Sequence, residues 1–72
     1  MTALEFQERI RKRQRVYGTL VTSPSPLFVN AAKNAGLDFV FIDTEHTVLD
    51  WETVAWMCIA YGSSGMVPMV RI

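Results

Sequence analysis

Apolar residues along the chain fall into blocks that alternate between helical and strand-like spacing. Ala3, Phe6, Ile10 and Tyr17 fall near one helical stripe, with Glu5–Arg9 and Glu8–Lys12 as i,i+4 ion pairs on the polar side. This predicts a leading amphipathic helix over residues 1–15. Gly18–Thr22 is short and partly β-branched, as a strand is. Ser23-Pro24-Ser25-Pro26 stops it and starts a helix, with Ser25 as cap and Pro26 in the first turn. Leu27, Phe28, Ala31, Ala32 and Ala35 make that helix's expected apolar face, and Gly36 is its expected stop. Phe39-Val40-Phe41-Ile42 is apolar without alternation, the pattern of a strand buried on both faces of a parallel sheet. Asp50 caps a helix expected over Trp51–Tyr61, which Gly62-Ser63-Ser64-Gly65 ends. Met66–Val70 reads as a third strand, although Pro68 suits a central ladder poorly.

The order is a leading helix followed by β-α-β-α-β over residues 17–72, which is two right-handed βαβ units of an α/β fold. Three parallel strands cannot close a barrel, and a buried strand at the end leaves an open edge. The helix after Asp50 reads Val54-Ala55-Trp56-Met57-Cys58-Ile59-Ala60-Tyr61, apolar on every side, and so expects partners on more than one face. Residues 1–72 are therefore expected to be the front part of a single larger α/β domain, one that associates with further copies of itself.

Composition sharpens this picture. The 72 residues are 50% hydrophobic and 19% charged, too apolar for a disordered chain and marginal for a self-sufficient domain of this size. No apolar stretch reaches the roughly 18 residues of a membrane span, and the start lacks the layout of a signal peptide. The single cysteine, Cys58, excludes an internal disulfide framework and a cysteine-cluster metal site, and its apolar setting marks it as a small buried hydrophobe. These features predict a cytoplasmic protein with neither membrane nor nucleic-acid partners. The zero net charge hides a split, with residues 1–15 at +3, residues 16–70 at −4 and Arg71 restoring the balance. Helical spacing makes the Arg9–Arg15 run a solvated face rather than a nucleic-acid arm, since no aromatic residue interleaves it.

Candidate chemistry gathers where the strands end. In parallel α/β proteins the carboxyl ends of strands carry the sites. Here those ends hold Thr22 and Ser23, then Asp43, Glu45 and His46, then Arg71. Asp43 and His46 are three residues apart, a spacing that lets the carboxylate orient the imidazole as a general base. Arg71 can hold a carboxylate or a developing enolate oxygen. Plainer roles fit the same residues. A lone histidine in a loop is commonly a surface group, Asp43 can cap the turn, and Arg71 can pair with Glu45.

Gly36-Leu37-Asp38-Phe39-Val40-Phe41-Ile42-Asp43-Thr44-Glu45-His46, followed by Met69-Val70-Arg71-Ile72, resembles the HpcH/HpaI aldolase/citrate lyase family, in its metal-dependent class II pyruvate aldolase branch. Gly18-Thr19 with Ser23-Pro24-Ser25-Pro26 looks like that family's first strand and loop. The resemblance runs from about Tyr17 to Ile72. It implies the N-terminal portion of a (β/α)8 TIM barrel, an incomplete barrel when set against the typical ~250 residues.

The resemblance implies reversible aldol cleavage of 4-hydroxy-2-oxo acids to pyruvate and an aldehyde, a carbon–carbon lyase activity with a small 2-oxo acid as substrate. By position, His46 would be the acid/base, Asp43 its orienting partner, and Arg71 the group that binds the pyruvoyl oxygen and steadies the enolate. Glu45 would support these groups from behind. The family's divalent metal, of the Mg²⁺ or Mn²⁺ kind, is held by a Glu and an Asp on later strands. On that reading the 72 residues alone would be inactive, and the alternative is a non-catalytic oligomerising α/β fragment. Leu20, where many relatives have Trp, and Thr47, in place of a glycine, imply a divergent subgroup with its own substrate.

Overall fold

The computed structural model describes residues 1–45 and 48–71. These form α1 (Ala3–Arg11), β1 (Gly18–Val21), α2 (Pro26–Asn34), β2 (Phe39–Asp43), α3 (Trp51–Ser63) and β3 (Val67–Arg71). The strands make one parallel sheet in the order β1-β2-β3, so β2 is central and both crossovers carry a helix. Among the described residues, β1 and β3 each pair with β2 alone, leaving two edges.

Caps and stops set the helices. Thr2 and Glu5 form a capping box at the start of α1. Ser25 Oγ accepts the Leu27 N–H at 3.3 Å at the start of α2, with Pro26 in the first turn. Asp50 Oδ1 accepts the Thr53 N–H at 2.7 Å at the start of α3. All three helices end in the same pair of reversed hydrogen bonds, 6→1 and 5→2. In α2 these run from Leu37 to Ala32 and from Gly36 to Lys33, with Gly36 at φ 74°. In α3 they run from Met66 to Tyr61 and from Gly65 to Gly62, with Gly65 at φ 88°.

Four sequence expectations need correction. The leading helix does not reach residue 15. It ends at Arg11, because Arg13 takes φ 57° and the Gln14 and Arg13 N–H groups turn back to Arg9 and Ile10. Tyr17 therefore lies outside the helical stripe, and Ile10 is exposed. Glu8 does pair with Lys12 at 3.7 Å, but Arg9 reaches Asp38 at 3.5 Å while Glu5 serves the capping box. In α2 the buried residues are Val29 and Ala32, whereas Leu27 is 76% exposed and Phe28 and Ala31 are also exposed. A nine-residue helix has room for two apolar stripes, and the sheet takes the one through Val29. Cys58 is half-buried rather than buried, and its incomplete burial still pushes the thiol pKa up.

The core lies between α2 and α3 and one face of the sheet. Val40 and Ile42 of β2 are fully buried there with Val21, Val29, Ala32, Met57, Tyr61 and Met66. Phe39 and Phe41 point to the other face by the two-residue period of a strand, and are only half-buried. At its amino end that face is covered by Phe6 of α1, whose ring meets the Phe39 ring edge-on at 5.4 Å. Asp38 fastens the same end, accepting the Tyr17 N–H at 2.9 Å beside Arg9. Val54, Met57 and Tyr61 are the buried face of α3, while Trp51, Trp56 and Ile59 lie exposed on the rest of it. Pro68 is tolerated because the Val67 N–H bonds to the carbonyl of Asp38, just before β2, which directs the next residue's nitrogen to the open edge, where no ladder donor is lost.

Candidate active site at the carboxyl end of the sheet

Parallel pairing brings the chemistry-bearing residues of β2 and β3 together. Asp43 and Arg71 are register partners, the last residues of their strands, on the face that also carries Phe41 and Met69. Residues 28 apart in sequence thus become neighbours at one rim.

Asp43 is 2% exposed. Its Oδ1 accepts the Glu45 N–H at 2.8 Å, a side-chain-to-backbone turn that starts the loop after β2. The Thr44 hydroxyl donates to the Arg71 carbonyl. Glu45 Oε2 meets Arg71 Nε at 2.5 Å, a charge-assisted contact between side chains that remain 55% and 47% exposed, so the guanidinium is held yet open to a ligand. The plain expectations for these residues are visible in this geometry. Asp43 shapes the turn and Arg71 pairs with Glu45, and together they place a permanent cation next to a buried carboxylate.

Thr22 and Ser23 stay with their own loop, where Ser23 Oγ accepts the Ser25 N–H at 3.2 Å on the way into α2. The expected pairing of Asp43 with His46 falls on a residue outside the described ones, as do Thr47 and Ile72. A cleft of about 360 Å³ opens nearby, between the loop before α2 and the start of α3, lined by Pro24, Pro26, Asp50, Glu52, Thr53 and Trp56. Sequence reasoning found its caps, Ser25 and Asp50, but not that the two helix starts lie side by side. The hydrogen bonds from Thr53 hold the Asp50 carboxyl below its ordinary pKa.

Among the described residues, no three His, Cys, Asp or Glu side chains converge as metal ligands. Glu45 is engaged with Arg71 and the Asp43 carboxylate with the turn. These residues do not fit a divalent-metal site, and no chemical step is assigned through one. No helix is long and apolar enough to cross a membrane among the described residues.

No protein-family profile matches the chain. It is 45% identical over 53 residues to the 4-hydroxy-4-methyl-2-oxoglutarate aldolase tasA of Hapsidospora irregularis, across 74% of this chain and 19% of that protein. To the 4-hydroxy-4-methyl-2-oxoglutarate aldolase cghB of Chaetomium globosum it is 40% identical over 48 residues, 67% of this chain and 18% of that protein. The chain thus spans about a fifth of the length of the curated relatives it matches. Among solved structures, the citrate synthase SbnG superposes with a TM-score of 0.83 at 35% identity, over 92% of this chain and 27% of that one. An HpcH/HpaI aldolase from Desulfitobacterium hafniense superposes with a TM-score of 0.80 at 24% identity, over 92% and 26%. The three parallel strands and their helices are therefore part of a TIM-type barrel. The chain is thus similar in sequence to 4-hydroxy-4-methyl-2-oxoglutarate aldolases over two thirds or more of its length, and it has the fold of a three-stranded portion of the HpcH/HpaI aldolase barrel.

Proposed function

We propose that the polypeptide carrying this segment is a carbon–carbon lyase that cleaves 4-hydroxy-2-oxo acids by a retro-aldol reaction and runs the reverse addition. The observation that carries the reading is the in-register placement of Asp43 and Arg71 at the carboxyl rim, with the guanidinium held by Glu45. The relatives' names support a substrate of the 4-hydroxy-4-methyl-2-oxoglutarate type. Cleavage of that compound between C3 and C4 yields two molecules of pyruvate.

The chemistry requires a base and a cationic hold. A base takes the proton of the C4 hydroxyl, the C3–C4 bond breaks, and its electron pair moves into the C2 carbonyl as an enolate. Proton return to C3 then gives pyruvate. In this reading His46 is the acid/base, Asp43 orients it, and Arg71 binds the pyruvoyl oxygen and stabilises the enolate. The resemblance implies a divalent ion as well, which the described residues do not hold, so the roles given are those of this chain's own side chains.

The polypeptide, supplied with Mg²⁺ or Mn²⁺ and 4-hydroxy-4-methyl-2-oxoglutarate, should release pyruvate, measurable through NADH oxidation by lactate dehydrogenase. No pyruvate from this or related 4-hydroxy-2-oxo acids would overturn the reading. A second reading, a non-catalytic module that oligomerises, is favoured by the exposed Leu27, Phe28, Trp51 and Ile59. A compact monomer by light scattering would count against it.

A further inference from the structure

Thr44 and Glu45, the first two residues of the loop after β2, converge on one arginine of β3, and Asp43 at the end of β2 sets that loop. Asp43 Oδ1 accepts the Glu45 N–H at 2.8 Å and so fixes the backbone from which Glu45 projects. The Thr44 hydroxyl binds the Arg71 carbonyl, and Glu45 Oε2 binds Arg71 Nε at 2.5 Å. Main chain and side chain of Arg71 are thus held from the same loop. We infer that Asp43–Thr44–Glu45 is a clamp that presents the Arg71 guanidinium to a 2-oxo-acid carboxylate or enolate, with Thr44 and Glu45 as positioning residues. The ligand named here rests on the aldolase reading, whereas the clamp rests on the contacts alone.

A guanidinium is planar and carries its donors in a rigid fork. A carboxylate on Nε fixes the plane of that fork and leaves the terminal nitrogens to a second anion. Held in this way, Arg71 has already lost the rotamer freedom that an unheld arginine would give up on binding. A lysine could not replace it, since its single ammonium has no second edge to be gripped by. The opposite role for Glu45 is as a stand-in that occupies the ligand's place and must be displaced. The two roles predict opposite signs when Glu45 is neutralised.

The test uses the whole polypeptide, with pyruvate as probe. Calorimetric titration should show Glu45→Gln weakening pyruvate binding about tenfold, the scale of one charge-assisted hydrogen bond. Thr44→Val should weaken it less, and serves if Glu45→Gln does not fold. Glu45→Gln added to Arg71→Ala should cost nothing further, because the effect passes through Arg71. Phenylglyoxal modification of Arg71, read by peptide mass spectrometry, should be faster in Glu45→Gln than in the wild type. Unchanged or tighter pyruvate binding in Glu45→Gln, or equal phenylglyoxal rates, would overturn the clamp. A wild type that binds pyruvate through Arg71 yet cleaves no 4-hydroxy-2-oxo acid would sink the aldolase reading and leave the clamp standing. Should pyruvate not bind at all, the phenylglyoxal comparison still decides.

Discussion

The ring of Phe39 fills the space in which Gly18 would carry a side chain. A Cβ on Gly18 would lie 2.4 Å from two of its ring carbons, and the two residues are register partners at the amino ends of β2 and β1. On the same ring sits Phe6, so one contact ties α1, β1 and β2 together. Glycine is required here for close approach.

Gly18→Ala should therefore push Phe39 off its seat and loosen α1, costing about 1–3 kcal/mol as overpacking does. Denaturant unfolding of the polypeptide measures it. The same substitution in a Phe39→Leu background should cost less, and an equal cost in both backgrounds would place the strain elsewhere.

Asp50 sets the start of α3 and makes its contribution dependent on pH. Hydrogen bonds from Thr53 hold its pKa below the ordinary 3.8. A depressed folded-state pKa gives stability that is fully present above the unfolded value and is lost as pH falls through the folded one. Asp50→Asn should keep a capping oxygen, while Asp50→Ala should lower the melting temperature at neutral pH. The gap between wild type and Asp50→Ala should stay constant down to about pH 5 and shrink below the ordinary aspartate range. A gap that persists unchanged at pH 2 would contradict the charged cap.

These two positions show what the sequence makes legible. Caps and glycine stops are local, so Ser25, Asp50 and Gly36 could be read from the chain itself, and with them the order of helices and strands. The end of α1 could not, because its left-handed residue is Arg13 rather than glycine. Nor could the buried stripe of α2, since both Val29 and the Leu27–Phe28–Ala31 group have helical spacing and only docking on the sheet chooses between them. At the site, residue types and strand ends pointed to Asp43, Glu45 and Arg71. Their mutual contacts depend on strand register, and so does the anchoring of Tyr17 and Arg9 by Asp38.

Tyr61 is fully buried, and its hydroxyl has no hydrogen-bond partner among the described residues. An unpaired buried hydroxyl costs roughly 1–3 kcal/mol, and burial pushes its pKa up. Tyr61→Phe should therefore raise stability by about 1 kcal/mol with the fold unchanged. A loss of stability on thermal unfolding would show that the hydroxyl has a partner in the intact protein.

The aldolase reading turns on Arg71. Pyruvate release from 4-hydroxy-4-methyl-2-oxoglutarate, followed in the intact polypeptide and its Arg71→Ala variant, tests it most directly. The account predicts release by the wild type and a loss of about 100-fold or more in kcat for the variant, the scale of removing one group that stabilises a developing oxyanion. Equal rates in the two proteins would contradict it.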